Sequence, residues 1–308
     1  MGRSRFRIGA ARLLNGFYSI FFFYPKELYH LIPVGGPPAF DAFLPSFFMK
    51  HSSQPFMITS FQNAHVKRWR RLLDSRGIDQ FGQFVVSGER LVREALANRR
   101  NGCLELILPP NEDPRPVMCP DVKRYWVDRK LFDVLDIFGT RFPLLVCRTP
   151  DFPVANLISS PEGLEVLCPL GDPSNVGSLI RTAVAMGVKN IILLEESAHP
   201  LHPKAVRSAS GALFSARFYR GPSIREVASG NSIVGLDLNG ESLQTFSWPK
   251  DVRVLVGEEG KGLGHLGLSR TLTIPISSSI NSLNATMAMG MAMYAYRLQH
   301  PMHCDGRL

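Results

Sequence analysis

The sequence is poor in several features that would narrow its reading quickly. Its cysteines are Cys103, Cys119, Cys147, Cys168 and Cys304, an odd number with no C-x-x-C pair. That excludes a disulfide framework and fits reduced, mostly buried thiols in a reducing compartment. Zinc-ligand spacing is absent. His199 and His202 stand three apart among prolines, a loop pattern, and no metal is expected. The apolar run from Leu13 to Tyr24 is shorter than the ~20 residues that span a bilayer, so no membrane partner is expected. No small-residue cleavage site follows it, as a signal peptide would require. Phe6 stands where N-myristoylation prefers Ser or Thr. Internal repeats and low-complexity tracts are missing. Acid is scarce at the front: residues 1–56 carry six basic and two acidic side chains, and residues 57–100 carry nine and four.

What is present is an ordinary globular composition of 308 residues, 45% hydrophobic and 20% charged, enough for two domains and a core without disulfides. The last 208 residues carry twenty basic and twenty acidic side chains, so the net charge of +9 belongs entirely to the first 100. A basic front and a neutral rear imply that one part grips a polyanion while the other does something else. A solvated basic face is the plainer alternative.

Residues 1–56 do not read as a domain. Arg3, Arg5, Arg7 and Arg12 precede the first acid, Glu27, which fits a mitochondrial transit peptide; a start drawn too early is the other reading. From residue 57 to 148 short strands alternate with helices. A basic helix is expected over Val66–Leu73, strands at Phe84–Val86, Leu104–Leu108, Tyr125–Val127 and Leu144–Val146, and helices over Glu89–Ala97 and Arg129–Phe138. Residues 149–162, with Pro150, Pro153 and Ser159-Ser160-Pro161, read as a linker. Residues 163–300 alternate again. Strands are expected at Leu164–Leu167, Asn190–Leu194, Ser232–Leu236 and Val252–Val256. Helices are expected from Asn175 to Met186, closed by Gly187, and from Lys204 into Gly211-Ala212. This order predicts an α/β parallel sheet covered on both faces. A final helix over Ser282–Leu298 is apolar nearly all round and should be buried, in the core or at a dimer seam, with Met287, Met291 and Ala295 on one face and Met289, Met293 and Tyr296 on another. Residues 301–308 are a tail.

Three blocks in the rear half carry chemistry. They are Asp172-Pro173-Ser174-Asn175-Val176-Gly177 with Arg181-Thr182-Ala183, then Gly257-Glu258-Glu259-Gly260-Lys261-Gly262-Leu263, then Ile274-Pro275 with Ser282-Leu283-Asn284. The glycine block is no P-loop, since Gly262 and Leu263 follow Lys261 in place of Ser or Thr. In this order and spacing the blocks resemble the three signature motifs of the SpoU (TrmH-like) branch of the SPOUT RNA methyltransferases. Residues 57–148 resemble, more diffusely, the L30e-like substrate-binding domain that precedes many such catalytic domains. Met57-Ile58-Thr59-Ser60 resembles the start of many members, which makes residues 1–56 dispensable in this reading.

The resemblance implies a trefoil knot in the rear domain, a homodimer, and S-adenosylmethionine-dependent methylation of an RNA ribose 2′-hydroxyl. Ribosomal RNA is favoured over transfer RNA, and a cytoplasmic location over the mitochondrial matrix. A transfer-RNA methyltransferase and a non-catalytic ribosome-assembly factor that kept the fold are the alternatives. By family match, Asn175, Arg181, Glu259, Ser282 and Asn284 are the catalytic set. Gly257, Ile274 and Leu283 contact the cofactor through their backbones, with Gly235 and Leu236 as a further wall. An arginine base is chemically awkward because the guanidinium stays charged, so Arg181 is expected to orient ribose and phosphate, with Glu259 fixing it. Asn175, Ser282 and Asn284 could equally serve as helix N-caps. RNA contact is expected from Lys67, Arg68, Arg70, Arg71, Arg90 and Arg93, with Trp69 either stacking on a base or buried. The family pattern has a glycine where Ser278 stands and a proline where Arg217 stands; neither departure removes a motif residue.

Overall fold

The structure is a computed structural model. It describes residues 57–98, 102–110, 122–227, 232–257, 262–263 and 266–302. Expectations for residues 1–56 and 303–308, and for Glu259, lie outside the described residues.

The front half runs β1 (Met57–Ile58), α1 (Ala64–Arg71), α2 (Ser75–Phe81), β2 (Gln83–Val86), α3 (Glu89–Asn98), β3 (Cys103–Leu108), β4 (Lys123–Val127), α4 (Arg129–Leu135) and β5 (Leu144–Arg148). The strands form one mixed sheet in the order β1-β4-β3-β5-β2. Strand alternation sorts its side chains. Val85, Ile107, Val127 and Val146 face one way, onto Val66 and Trp69 of α1 and Leu131 and Phe132 of α4. Phe84, Val86, Leu106, Leu108 and Leu145 face the other way and share a buried cluster with Ile78 of α2 and Leu91, Val92 and Ala95 of α3, which runs on to Leu164, Val166 and Ile180 of the rear half. One core therefore serves both sheets.

The rear half runs β6 (Leu164–Cys168), α5 (Pro173–Ala185), β7 (Asn190–Leu193), α6 (Pro203–Ala209), β8 (Arg217–Arg220), β9 (Ile233–Ser242), β10 (Val252–Val256), β11 (Thr271–Thr273) and α7 (Ala285–Gln299). Its sheet has the order β11-β9-β10-β6-β7-β8, and every pairing in it is parallel. All residues of β6, β7 and β10 are buried, as expected where helices cover both faces. Val254 and Val256 join the shared core, while Leu255 turns to a separate cluster with Leu167 and Ile192. β8 and β11, unforeseen as strands, are the sheet edges. Arg217 opens edge strand β8, where no central ladder depends on a proline.

Helix contacts position the motifs. At Gly177 on α5 a Cβ would overlap the backbone oxygen of Ala205 and stand 2.7 Å from Cβ of Ser208; only glycine lets α6 approach this closely. Residues 150–162 form a strap. Ala155 N donates to Arg220 O (2.8 Å) and Arg220 N to Pro153 O (2.9 Å). The guanidinium of Arg253 donates to the Leu157 and Ser159 carbonyls, each at 2.9 Å, and pairs with Glu165 at 2.8 Å. Both charged side chains are nearly inaccessible, at 4% and 8%.

The final helix meets its expectation on one face. Met289, Ala292, Met293 and Tyr296 are buried, but Met287, Met291, Tyr294 and Leu298 form an exposed stripe. The helix is thus two-faced.

Candidate active site

β10 stops at Val256, opposite Leu236, while β9 continues and pairs with β11 at Glu241 and Ser242. The β9–β11 register jumps between Thr271 and Leu272. The β9 residues in between, starting at Leu236, therefore leave the ladder. With Gly257, Gly262, Ile274, Ile276 and residues 281–285 they line a cleft of about 800 Å³, within the range of roughly 300–1,000 Å³ for cofactor sites. It opens at the carboxyl ends of parallel strands, where ligands of open α/β sheets bind.

The walls are apolar: Leu236, Val256, Leu272, Ile274 and Leu283. At Gly257 a Cβ would stand 3.0 Å from Cα of Gly262, so the glycine keeps two backbones in near contact at the mouth. The rim is polar, with Asn175, Asn281, Ser282 and Asn284.

Asn284 is the N-cap of α7; its side-chain oxygen accepts from the backbone N–H of Thr286 (2.9 Å) and of Met287 (3.3 Å). Its Nδ2 reaches the Asn175 side-chain oxygen at 3.4 Å. The buried Thr286 hydroxyl donates to the Asn175 carbonyl (3.3 Å). First and third blocks thus meet, although more than 100 residues apart in sequence. Of the expected caps, the one on α5 shifts and the one on α7 is decided between its two candidates. Asp172, not Asn175, caps α5, accepting from Ser174 N (2.8 Å) and Asn175 N (2.9 Å). Asn284, not Ser282, caps α7.

Two expected residues lie elsewhere. Gly235 does not line the cleft: a Cβ there would sit 2.6 Å from Leu268 and 2.8 Å from Leu263. It faces the opposite side of β9 from Leu236, as strand alternation demands. Arg181 is exposed and lines a neighbouring cleft of about 640 Å³ with Arg90, Glu94 and Ser210. Ser210 holds a left-handed φ of 53°, a strained conformation for a residue with a side chain.

The basic residues divide. Lys67, Arg70 and Arg71 are exposed on α1. Arg68 turns inward to Glu105, at 2.8 and 2.6 Å to its Oε1 and Oε2, and Oε2 also accepts from Trp69 Nε1 (2.8 Å). Trp69 is fully buried, so its ring is packed in the core and not on the surface. Arg90 and Arg93 on α3 pair with Glu94 and Glu89 one turn away. Among the described residues no group of three or more His, Cys, Asp or Glu side chains converges as a metal site would require. No described helix is long and apolar enough to cross a membrane.

The sequence reading missed Asp237 and Thr286. Asp237 follows Leu236 at the strand end, a position that marks ligand sites in parallel sheets.

A two-lobed α/β chain with a cofactor-sized cleft at its strand ends is what fold and site define. Residues 165–294 match the SpoU rRNA Methylase family. The 23S rRNA (uridine(2479)-2'-O)-methyltransferase of Streptomyces viridochromogenes is 30% identical over 261 residues, 77% of this chain and 90% of that protein. The chain belongs to this family. The Ribosomal RNA small subunit methyltransferase G 2 of Syntrophobacter fumaroxidans is 37% identical over 241 residues, 78% of this chain and 48% of that protein. The chain thus spans about half that relative's length. An AdoMet-bound rRNA methyltransferase structure from Sinorhizobium meliloti superposes with a TM-score of 0.67 at 24% identity, covering 81% of this chain and 99% of that one; this likeness establishes the fold.

Proposed function

We propose that this chain is a methyltransferase that uses S-adenosylmethionine to methylate a ribose 2′-hydroxyl of ribosomal RNA. The observation that carries the reading is the meeting of Asn175 and Asn284 at the rim of the strand-end cleft. The names of the relatives supply the reaction and the RNA class. The cleft suits the cofactor: its apolar walls accept an adenine, and at Gly257 and Gly262 the lining carries no side chain between the main chain and a ligand. When bound, the cofactor supplies an electrophilic methyl group on a sulfonium.

The chain's residues then have separate tasks. Leu236, Ile274 and Leu283 exclude water from the donor, and Gly257 admits it. Asn175, Asn284 and Ser282 hold the ribose in line with the methyl carbon. Arg181, outside this cleft, presents its planar fork to the RNA backbone beside Arg90. The hydroxyl proton leaves to water or an RNA phosphate. Lys67, Arg70 and Arg71 grip phosphates through the front lobe, which makes binding steeply salt-dependent. The exposed stripe Met287, Met291, Tyr294 and Leu298 is read as the seam of a homodimer.

The test is transfer of labelled methyl to total RNA lacking the modification, mapped by nuclease digestion and mass spectrometry, with Asn175→Ala as control. One 2′-O-methylated ribosomal nucleotide, lost in the variant, is expected. RNA binding without transfer to any RNA would replace this reading with a non-catalytic assembly factor. Light scattering of Met291→Glu tests the seam, with a shift from dimer to monomer expected.

A further inference from the structure

We infer that Asp237 makes the cleft selective for the cationic methyl donor over its neutral product. The inference rests on reading the cleft as the S-adenosylmethionine site. Asp237 is the one ionisable side chain among the described residues that line it; the others are amides, a serine, glycines and apolar residues. It is half-buried at the point where β9 leaves β10. Its Oδ2 accepts from Leu263 N (2.7 Å) and its Oδ1 from Asn239 N (3.3 Å). The carboxylate is thus held in place by backbone donors from both sides of the mouth.

Donor and product differ in one respect that a carboxylate can read. The donor has a sulfonium, an ammonium and a carboxylate, for a net charge of plus one. After methyl transfer the sulfur is a neutral thioether and the net charge is zero. Shape is otherwise nearly unchanged, so apolar walls and backbone contacts treat the two alike. A fixed negative charge beside apolar walls is screened less than one on open surface. It favours the donor and leaves the product almost unaffected, so fresh donor competes better against product for the cleft. For an intervening distance of about 6 Å and an effective dielectric of roughly 40–80, close to that of water for a half-buried group, the preference is roughly three- to tenfold.

Asp237→Asn keeps the volume and an acceptor for Leu263 N but removes the charge. Calorimetric titration of the full chain with S-adenosylmethionine, S-adenosylhomocysteine and sinefungin reads the effect; sinefungin carries an amine where the donor has its sulfonium. The expected result is roughly three- to tenfold weaker binding of the two cationic ligands, with product affinity unchanged within about twofold. Added salt should narrow the donor-to-product ratio in the wild type and not in the variant. Asp237→Glu should keep the ratio even if all three ligands weaken. A purely structural role would weaken all three alike in Asp237→Asn, and that equal loss, or an unchanged ratio, overturns the inference. Wild-type protein that binds none of the three overturns the cofactor reading instead, and this inference with it.

Discussion

Asn284 performs two tasks through two atoms, and substitution can separate them. Its oxygen caps α7, accepting from Thr286 N and Met287 N, while its Nδ2 reaches Asn175. Asn284→Ala removes both. Loss of the cap costs about 1 kcal/mol, or roughly 2–4 °C in melting midpoint for a body of this size. Asn284→Asp keeps the acceptor and places a negative charge at a helix N-terminus, which stabilises by ~0.3–1 kcal/mol. It has no amide to offer Asn175. The expected stability order is therefore aspartate at or above wild type, with alanine below both. Single-turnover methyl transfer should fall at least about tenfold in both variants, the size of one lost positioning contact near 1.4 kcal/mol. Thermal melts and a single-turnover assay on the same preparations give both readouts. A fully active aspartate variant would refute the claim that the Nδ2 donor positions the rim. An alanine variant as stable as wild type would refute the cap.

Three further outcomes are expected. Arg253→Met leaves Glu165 buried without its partner and frees the 150–162 strap, costing about 3–5 kcal/mol in urea titrations; the Glu165→Leu, Arg253→Met double variant should recover part of this, and a loss below about 1 kcal/mol in the single variant would show that the pair is solvated. Gly177→Ala drives a methyl into the Ala205 carbonyl and Ser208, and should destabilise by about 1–3 kcal/mol despite alanine's better helix propensity; a gain in melting temperature would contradict the α5–α6 contact. Burial lowers the His199 imidazole below its ordinary value of 6.5, with Asp79 opposing and His202 reinforcing the shift. The unfolded chain then takes the proton first, so stability is full above about 6.5 and declines as pH falls toward the folded value. His199→Asn should flatten that decline between pH 7 and 5 in equilibrium unfolding, and a steeper slope would reverse the sign of this argument.

Much of the fold was legible because its signals are local. The strands at Phe84–Val86, Leu104–Leu108, Leu164–Leu167 and Val252–Val256 are short apolar runs between turns, and all four lie within observed strands. The glycine at 187 closes its helix where expected, with a left-handed φ of 66°. What sequence could not show depends on distant partners. Arg68 reads as one more surface cation until Glu105, 37 residues away, draws it inward. Gly235 and Leu236 read as one wall until the strand's alternation sends them to opposite faces. Ser282 and Asn284 are equally good caps on paper; the backbone settles the choice by entering helical geometry at Ala285. The cleft itself arises from a register jump between β9 and β11, which no spacing of residues announces.

The shared core has a mechanical consequence. The buried cluster of the front sheet, α2 and α3 runs on into the rear half, with α3 packed on residues 210–214 and α6 on β2, and the strap between the halves is pinned by Arg253. Separating the halves would open that continuous cluster to water, so the two unfold together and neither swings on a tether. The span from the exposed cations of α1 to the cleft is then a fixed length built into the protein, a caliper whose jaws do not slide.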